Sequence, residues 1–307
     1  MNILITGGAG FIASQITDAY IDAGHRVAVI DDLSSGKREF ISPKAVFYRA
    51  DIRDINAVVK IFTREKPEIL NHHAAQISVR NSVDDPRHDA EVNLIGLINL
   101  MEAGKTFLKK TIFASSGGVV YGDADKIPTS EDYVPLLPLS PYGVSKLAGE
   151  HYLHYYRNNF GIPFIALRYS NVYGPRQNPH GEAGVVAIFS RKLLKGEVPV
   201  INGDGLQIRD YIYVGDVVRA NLKAMEKKVS GSFNIGTGLG TNVIDLYDKI
   251  RRITGSTIQA KHGPAKKGEQ KKSVLSNSQA AKILDWQPKT DLDKGLKATV
   301  DYFKENE

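Results

Sequence analysis

A glycine-rich turn between two apolar runs constrains this chain more than any other feature of its sequence. Residues 3–6 (Ile-Leu-Ile-Thr) are typical of a short buried strand, and Gly7-Gly8-Ala9-Gly10 follow directly. We predict a helix from there to about Ala23, then a second buried strand at residues 27–30 (Val-Ala-Val-Ile). This order predicts a βαβ unit whose glycines let the backbone approach a pyrophosphate, with the phosphate charge at the helix N-terminus.

The acidic residue after the second strand indicates which dinucleotide the turn would hold. Asp31 follows the glycines at the distance expected for a carboxylate that hydrogen-bonds the adenosine ribose. A carboxylate at this position repels a 2′-phosphate, so NAD is favoured over NADP. Lys37 and Arg38 follow closely, and their positive charges leave NADP open.

The alternation of strand-like and helix-like segments continues well beyond the first unit. Further strands are predicted at 46–48, 69–73, 111–114 and 164–167, with helices at 58–64, about 90–103 and about 142–158. Repeated units at this spacing predict an α/β fold with a doubly wound parallel sheet of the Rossmann type. Ligands of such sheets bind outside the carboxyl ends of the strands, where the glycine turn, Asp31, Ala74-Ala75, Ser115-Ser116 and Tyr169 are placed.

The character of the sequence changes after Asn171, where a long turn-rich stretch begins. We predict a dinucleotide-binding domain at residues 1–171, joined by part of 210–238. A smaller C-terminal α/β substrate domain is predicted at 172–307, with helices at about 185–194 and 292–303 and a strand at 198–201.

Tyr142 and Lys146 form a candidate catalytic pair. If their stretch is helical, positions i and i+4 put both side chains on one face, one turn apart. Ser140 suits the cap of that helix, and Pro141 suits its first turn. An ammonium close to a phenol favours the phenolate, so we expect Lys146 to lower the pKa of Tyr142 and make it a better base. The alternative is an ordinary aromatic–lysine pair on a surface helix.

Composition and charge exclude several classes of protein. The chain of 307 residues has no cysteine, which excludes disulfides and thiolate chemistry and fits a cytoplasmic protein. No apolar run is long enough to cross a bilayer, and the first residues lack the cationic leader of a signal peptide. The net charge is +6, but the five lysines between residues 261 and 272 have no interleaved aromatics, so no nucleic-acid partner is expected. Those lysines fit a solvated face or the attraction of a small anion.

The motifs in this order resemble the extended short-chain dehydrogenase/reductase superfamily, and within it the UDP-galactose (UDP-glucose) 4-epimerases. The resemblance covers essentially the whole chain, although sugar dehydratases, decarboxylases and other epimerases share most of the motifs. It is carried by Thr6-Gly7-Gly8-Ala9-Gly10-Phe11-Ile12, Asp31-Asp32-Leu33, Ala74-Ala75-Gln76, Ser115-Ser116, Val120-Tyr121-Gly122, Ser140-Pro141-Tyr142-Gly143-Val144-Ser145-Lys146, Arg168-Tyr169-Ser170-Asn171-Val172-Tyr173-Gly174-Pro175 and Arg209-Asp210-Tyr211.

The resemblance implies an NAD-dependent isomerase. Tyr142 would take the proton of the sugar 4-hydroxyl while C4 passes its hydride to tightly held NAD; the 4-keto sugar turns over, and the hydride returns to the opposite face. Lys146 would hydrogen-bond the nicotinamide ribose, and a serine would bridge the substrate oxygen and the phenol. Many relatives carry that Ser/Thr at the position of Gly117, so we assign the role to Ser116, one residue earlier, with Ser115 as the second candidate.

The resemblance also implies contacts with both ligands. The cofactor residues would be Gly7, Gly10, Phe11, Ile12, Asp31, Asp32, Ser35, Gly36, Asp51, Ile52, Ala74, Ala75, Gln76, Tyr142, Lys146 and Tyr169. The UDP-sugar residues would be Ser116, Asn171, Val185, Arg209, Lys266, Glu269 and Ser273. For Tyr169 and Val185, core packing is an almost equally good interpretation.

Two of these positions depart from the pattern of the relatives. Lys266 stands where a diphosphate-binding arginine is usual, and lysine offers a point charge without a bidentate fork. Ser273 stands where, in some relatives, a bulky tyrosine excludes the 2-acetamido group of the sugar. Serine is smaller, which predicts room for that group.

Other activities compete with 4-epimerisation of a UDP-hexose. A 4,6-dehydratase needs an acid/base pair directly after the Ser/Thr, where this chain has Gly117-Gly118. A decarboxylase and a UDP-GlcNAc epimerase are not excluded. A dinucleotide-sensing module could keep the glycine turn, but the presence of both Tyr142 and Lys146 argues against it.

The resemblance bears on metals and assembly as well. The superfamily mechanism needs no metal, and the eight histidines show no metal-ligand spacing. The helices at about 90–103 and 144–158 resemble the pair that forms a four-helix dimer contact, so a homodimer is expected. The apolar residues available for it are Leu94, Leu97, Ile98, Met101, Leu147 and Leu153. Asn93, on the first of these helices, is interpreted as a plain helix residue.

Overall fold

The predicted parallel sheet is present in the computed structural model, which describes residues 1–179, 184–265 and 270–306. The strands of these residues are β1 (Asn2–Thr6), β2 (Arg26–Asp31), β3 (Val46–Arg49), β4 (Ile69–His72), β5 (Lys110–Ser116), β6 (Phe164–Tyr169), β7 (Asn171–Tyr173), β8 (Val200–Asn202), β9 (Ile208–Arg209), β10 (Tyr211–Tyr213), β11 (Gly231–Ile235), β12 (Thr241–Asn242), β13 (Lys261–Gly263) and β14 (Lys272–Ser273).

Helices connect and flank these strands. They are α1 (Phe11–Asp22), α2 (Ile55–Glu65), α3 (Val79–Asp84), α4 (Pro86–Ala90), α5 (Gly96–Gly104), α6 (Pro141–Phe160), α7 (Val185–Leu194), α8 (Val214–Glu226), α9 (Val243–Thr254) and α10 (Leu292–Asn306), with a 3-10 turn at Arg38–Phe40 and π-helical turns at Glu91–Ile95 and Ala280–Leu284.

The central sheet has the order expected of a doubly wound fold. Within the described chain seven parallel strands pair in the order β11-β6-β5-β4-β1-β2-β3. The chain builds outward from β1 through β2 to β3, then crosses back to place β4 on the other side of β1. This reversal opens a crevice at the carboxyl ends of β1 and β4, where ligands of such folds bind. The predicted fold class is confirmed.

The strands are apolar on both faces because helices cover both faces of a parallel sheet. Side chains of β1 alternate between two cores: Ile3 and Ile5 join one cluster, and Leu4 joins the other. All three are at most 1% exposed. Burying a side chain of this size contributes about 1.5–3 kcal/mol relative to leaving it in water.

The C-terminal part of the chain returns to the central sheet before it completes its own layer. Strand β11 pairs with β6, and it lies within the 210–238 segment that was expected to rejoin the first domain. Helices α7, α9 and α10 then enclose a separate core that includes Phe189 and Leu246. The proposed boundary at residue 171 stays a prediction.

One predicted helix differs from the structure. The segment expected as a single helix over about 90–103 is divided into the end of α4, a π-helical turn and α5. Asn93 in the π turn is 3% exposed, and its side-chain amide bonds both the N–H and the C=O of Gln76, at 3.0 Å each. Asn93 therefore lies in a π turn rather than in a regular helix, and its side chain holds the loop after β4; π turns within helices often occur at functional sites.

Among the described residues, no helix combines the length and apolarity needed to cross a bilayer.

Candidate active site

The glycine turn brings the end of β1 against the end of β4. Gly7 has a φ of +70°, and an added Cβ would lie 2.7 Å from the backbone N of Ala74. Gly10 caps α1 without a side-chain hydrogen bond, and no acidic residue occupies the first turn of that helix. The first N–H groups and the positive end of the helix dipole are thus left for an anion, which fits the pyrophosphate of a dinucleotide.

Asp31 lies at the end of β2, next to this turn, and is 8% exposed. Its carboxylate accepts hydrogen bonds from the N–H of Ala9 at 2.9 Å and from the N–H of Leu33 at 2.8 Å. Burial raises its pKa, although the two backbone donors act in the opposite direction. The carboxylate oxygens retain lone pairs for ribose hydroxyls, so the residue fits its predicted role.

The segment after Asp31 follows the glycine turn closely. The N–H of Lys37 donates to the carbonyl of Ala9 at 2.9 Å, and a Cβ added to Gly36 would lie 2.6 Å from that of Ala9. Asp32 and Ser35 are exposed, and Asp32 accepts from the hydroxyl of Ser34. The predicted positions 31–36 therefore share one edge of the crevice.

The Thr6 hydroxyl fixes the loop that carries Ala74, Ala75 and Gln76. It accepts from the N–H groups of His73 at 3.2 Å and Ala74 at 3.1 Å, so its own proton is directed at Nδ1 of His72, 2.7 Å away. Burial lowers the pKa of His72 well below its usual value, which keeps the ring neutral and able to accept. Sequence reasoning missed this link between Thr6 and His72.

Helix α6 has the predicted cap and carries the predicted pair. Ser140 Oγ accepts from the N–H of Gly143 at 3.2 Å, and Pro141 opens the helix. Lys146 is 4% exposed and donates to the carbonyl of Ala114 at 2.8 Å. Its ammonium lies 5.8 Å from the ring centre of Tyr142, so the two side chains share one face as expected.

Lys146 was expected to lower the pKa of Tyr142, but the net change of that pKa in the structure is a rise. Burial raises the pKa of Tyr142, and the charge of Asp89 raises it further, while a hydrogen bond with Ser116 acts the other way. Lys146 is itself affected by burial, which lowers its pKa to about 8 against a smaller upward effect of Asp89. Burial is the largest cause of both changes, because the charged form of each group is destabilised when it is removed from water.

The structure separates the serine candidates. Ser115 points away from the pair and donates to Glu150 Oε1 at 2.6 Å. Ser116 lies beside Tyr142 and acts to lower the pKa of its phenol. A side chain at Gly117 would be directed elsewhere, because an added Cβ lies 2.4 Å from Cδ1 of Leu275. The geometry therefore places Ser116, and neither neighbour, beside the phenol.

Tyr169 closes the far side of the crevice at the end of β6. Its hydroxyl accepts from Asn221 Nδ2 at 2.8 Å and lies 3.1 Å from Nε2 of His73, whose ring stacks on it at 5.9 Å between centres. Tyr169 is 6% exposed, and burial raises its pKa. It packs in the core while also bordering the predicted nicotinamide side, so the two interpretations are compatible.

Three of the predicted UDP-sugar residues are brought together by short strands. Asn171 opens β7 and donates to the carbonyl of Asp210 through its backbone N–H at 2.9 Å. Arg209 on β9 is aligned with Ser273 on β14 in parallel register. Val185 begins α7 and packs against the C-terminal core. Lys266 and Glu269 lie outside the described residues.

The predicted adenine pair is only partly available. Ile52 is 5% exposed, and its side chain leaves no room for a Cβ on Gly96. The Asp51 carboxylate is engaged by the Arg53 guanidinium, with contacts of 2.9 and 2.6 Å to Oδ2. This fork lowers the pKa of Asp51.

A buried ion pair links helix α6 to strand β6. It was not predicted from the sequence. Arg168 Nη2 and Nε bond Glu150 Oε2 at 2.7 and 3.3 Å, and both side chains are at most 7% exposed. Arg168 also donates to the hydroxyl of Tyr121 at 2.8 Å. The signal in the sequence is the spacing: Glu150 lies one turn after Lys146 on α6.

No group of three or more His, Cys, Asp or Glu side chains in the described part of the chain is arranged to hold a metal ion.

Comparisons with known proteins agree with this geometry. Residues 3–236 match the NAD dependent epimerase/dehydratase family. A UDP-glucose 4-epimerase of Mycolicibacterium smegmatis is 44% identical over 311 residues, which cover 99% of each chain. The structure resembles that of UDP-glucose 4-epimerase from Thermotoga maritima with UDP-glucose, at a TM-score of 0.98 and 48% identity, covering 100% of this chain and 99% of the other. It also resembles the Thermus thermophilus UDP-glucose 4-epimerase complex with NAD, at a TM-score of 0.95 and 42% identity, covering 99% of each.

Gly117 is tightly packed and Gly118 is not, which predicts that alanine at the two positions changes the free energy of unfolding by different amounts. Gly117→Ala should lower the free energy of unfolding by about 1–3 kcal/mol, because the added Cβ meets Leu275 and lies 3.2 Å from the carbonyl of Arg168. Leu275 is 1% exposed and has little space to move. At Gly118 the added Cβ lies 3.8 Å from Ser116 Oγ, so Gly118→Ala should change stability by about 0.5 kcal/mol or less. Equal losses in urea unfolding would contradict this account.

Proposed function

Because this chain belongs to the NAD-dependent epimerase/dehydratase family, we propose that it interconverts UDP-galactose and UDP-glucose by epimerisation at C4, as an isomerase. One observation carries the proposal. A half-buried tyrosine, a serine that lies beside it and a buried lysine meet at the carboxyl end of β5. This set can move a proton at a sugar hydroxyl next to a dinucleotide site, and relatives named UDP-glucose 4-epimerase cover almost the whole chain.

NAD is the cofactor of this family, and the residues of the crevice fit it. When bound, NAD supplies the hydride-accepting and hydride-returning chemistry at C4 of the sugar. The glycine turn at Gly7 and Gly10 would hold the pyrophosphate, and Asp31 would hold the adenosine ribose, as its buried carboxylate and the uncapped start of α1 indicate.

Tyr142 is the proposed acid and base. Burial favours the neutral phenol by raising its pKa, so the phenol must first ionise before it can take the proton of the sugar hydroxyl; it returns that proton when the keto oxygen is reduced. Ser116 bridges the sugar oxygen and the phenol. Lys146, anchored on the carbonyl of Ala114, supplies the positive charge that stabilises negative charge developing on the phenol oxygen.

The C-terminal part would bind the UDP group and the sugar. Asn171 and Arg209 are proposed for the UDP end, and the bond from the Asn171 N–H to the carbonyl of Asp210, the residue after Arg209, supports their proximity. Val185, Lys266 and Glu269 are proposed from the sequence for the same end. We accordingly propose that residues 172–307 form the nucleotide-sugar domain and that residues 1–171 form the NAD domain.

Other reactions on nucleotide sugars compete with this proposal. A 4,6-dehydratase needs side-chain acids directly after the catalytic serine, and the two glycines there offer none. A decarboxylase needs a carboxylate on the substrate, which the UDP-hexoses proposed here lack. Cytoplasmic location stays a prediction from the sequence.

The direct test of the activity uses the purified protein without added cofactor. We expect it to convert UDP-galactose to UDP-glucose, with the products identified by chromatography. UDP-GalNAc and dTDP-glucose are the comparison substrates. Conversion of dTDP-glucose to a 4-keto-6-deoxy product, with no action on UDP-galactose, would favour the dehydratase instead.

Removing the proton-transfer group should abolish turnover and leave the fold intact. Tyr142→Phe should lower kcat by a factor of about 10²–10⁴ and still bind NAD, because it removes only the phenol oxygen. Bound NAD is measured by fluorescence and turnover by a coupled assay. Tyr302→Phe, on the distant helix α10, is the matched control and should keep the activity of the unmodified protein. A near-normal kcat for Tyr142→Phe would rule out Tyr142 as the proton-transfer group.

We also propose a homodimer through α6 and the helical segment at about 90–103. The structure corrects the residues expected in that contact: Leu97, Met101 and Leu153 are fully buried in the sheet core and cannot reach a partner. Exposed apolar side chains lie beside them on the same helices. They are Ile95, Val144, Tyr152 and Tyr155, at 40–51% exposed.

The dimer is tested by mass in solution. Light scattering at micromolar concentration should give the mass of two chains, and Val144→Glu should shift it toward one chain because a charge would be buried in the contact. Val198→Glu, at a 40% exposed valine elsewhere, should leave the mass unchanged. A single-chain mass for the unmodified protein would reject the dimer.

The substrate range is a separate prediction. Ser273 is 7% exposed and lies beside Arg209, and its small side chain should leave room for a 2-acetamido group. A roomier pocket lets a larger sugar bind but does not favour it over a smaller one, whereas a steric clash strongly excludes the larger sugar. We expect measurable activity on UDP-GlcNAc, and Ser273→Tyr should reduce it far more than activity on UDP-galactose. Ser278→Tyr, at an exposed position, is the control. No turnover of UDP-GlcNAc by an enzyme active on UDP-galactose would refute this prediction.

A further inference from the structure

Asp89 is an acidic residue within the site that has none of the roles assigned above. Asp89 on α4 is 0% exposed. Its Oδ2 accepts from Ser145 Oγ at 2.6 Å, and its Oδ1 accepts from Asn93 Nδ2 at 2.9 Å and Gln76 Nε2 at 3.0 Å. Three donors from three different segments therefore converge on one buried carboxylate.

Each donor belongs to a segment that forms the site. Gln76 lies in the loop fixed by Thr6, Asn93 lies in the π turn, and Ser145 lies on α6 between Tyr142 and Lys146. A fully buried charge is costly unless its lone pairs are satisfied. Asp89 thus ties these segments together, and exchanging it for a neutral residue would change both the charge and the alignment.

The charge of Asp89 also reaches the catalytic pair. It raises the pKa of Lys146 and that of Tyr142, although neither side chain bonds it directly. The ammonium of Lys146 has one carbonyl acceptor, Ala114, and lies 4.9 Å from the ring centre of Phe113. Neither of these neighbours carries a negative charge to balance it.

We propose that Asp89 is a positioning residue for the epimerisation: it orients Ser145 on the catalytic helix and supplies the fixed negative charge that keeps Lys146 protonated during turnover. The proposal rests on the function proposed above, because it assigns Lys146 the same role.

The other ionisable groups around Lys146 do not supply this charge. On the side of β4, His72 and His73 are neutral, since burial lowers the pKa of both, that of His73 to about 3. On α6, Tyr142 stays a neutral phenol, and Glu150 is paired with Arg168. The remaining charged side chains on α3 and α4 are exposed to solvent; they are Arg80, Asp84, Asp85, Arg87 and His88.

The sign of the effect follows from electrostatics. Removing a negative charge makes the protonated ammonium less favourable, so the pKa of Lys146 falls. Activity that needs the ammonium is lost as pH rises through that pKa. In Asp89→Asn this loss should therefore occur at lower pH than in the unmodified protein, by a shift on the order of one pH unit.

The experiment compares three variants by two measurements. The first measurement is the pH dependence of kcat. The second is an NMR titration of protein labelled with 13C at lysine Cε, with the Lys146 signal assigned by its absence in Lys146→Arg. Asp89→Asn removes the charge, Asp89→Glu keeps it on a longer side chain, and Ser145→Ala removes the hydroxyl donor while keeping the charge.

We expect Asp89→Asn to lower both the midpoint of the Lys146 titration and the high-pH limit of activity. Asp89→Glu and Ser145→Ala should lower kcat but keep both midpoints near those of the unmodified protein. Equal losses of kcat in all three variants, with no shift in the midpoint of the Lys146 titration or of the pH dependence of kcat, would show that Asp89 has only a structural role. That result would overturn the proposal. Because the NMR titration needs no substrate, a failure here is distinguishable from a failure of the proposed reaction.

Discussion

The close contact between the ends of β1 and β4 is the constraint on which the rest of the site depends. Gly7 can pass Ala74 because it has no Cβ, and the Thr6 hydroxyl then accepts two N–H groups of the facing loop. That hydroxyl can accept both only if it donates to His72, whose buried ring is held neutral. One threonine therefore sets the path of the backbone that the cofactor would face, and the helix α1 begins where this contact ends.

Helix α6 is positioned by contacts between its rear face and the central sheet. Gly149 lets α6 approach β5, since a Cβ there would lie 2.9 Å from the ring of Phe113. One turn after Lys146, Glu150 receives hydrogen bonds from Ser115 and Arg168. Buried ion pairs contribute little net stability, but losing one partner leaves an uncompensated charge. The pair therefore holds Ser115 away from the crevice, which leaves Ser116 as the residue at the phenol.

The electrostatics of the site are decided by burial as much as by its charges. Tyr142 and Lys146 are both moved toward their neutral forms by desolvation, and Asp89 opposes that change for the lysine while adding to it for the tyrosine. A phenolate that takes the proton of the sugar hydroxyl becomes the phenol that returns it to the keto oxygen, so the tyrosine ends the cycle in the form in which it began. This agrees with a reaction that begins and ends with the same protonation state.

The sequence by itself determined the class of fold, the glycine turn and the placing of the tyrosine and lysine on one helix face, because each follows from a pattern within a short stretch of chain. The glycines between a strand and a helix and the acid after the next strand lie within one βαβ unit, and the i, i+4 tyrosine and lysine lie one turn apart behind a serine cap. The tertiary structure alone decided which serine meets the phenol, the sign of the pKa change at Tyr142, and the inward direction of Leu97 and Met101. It also decided the place of Asp89, whose three donors lie up to 56 residues from it in the chain. Such contacts depend on desolvation and on the packing of distant segments, neither of which leaves a periodic pattern in the sequence.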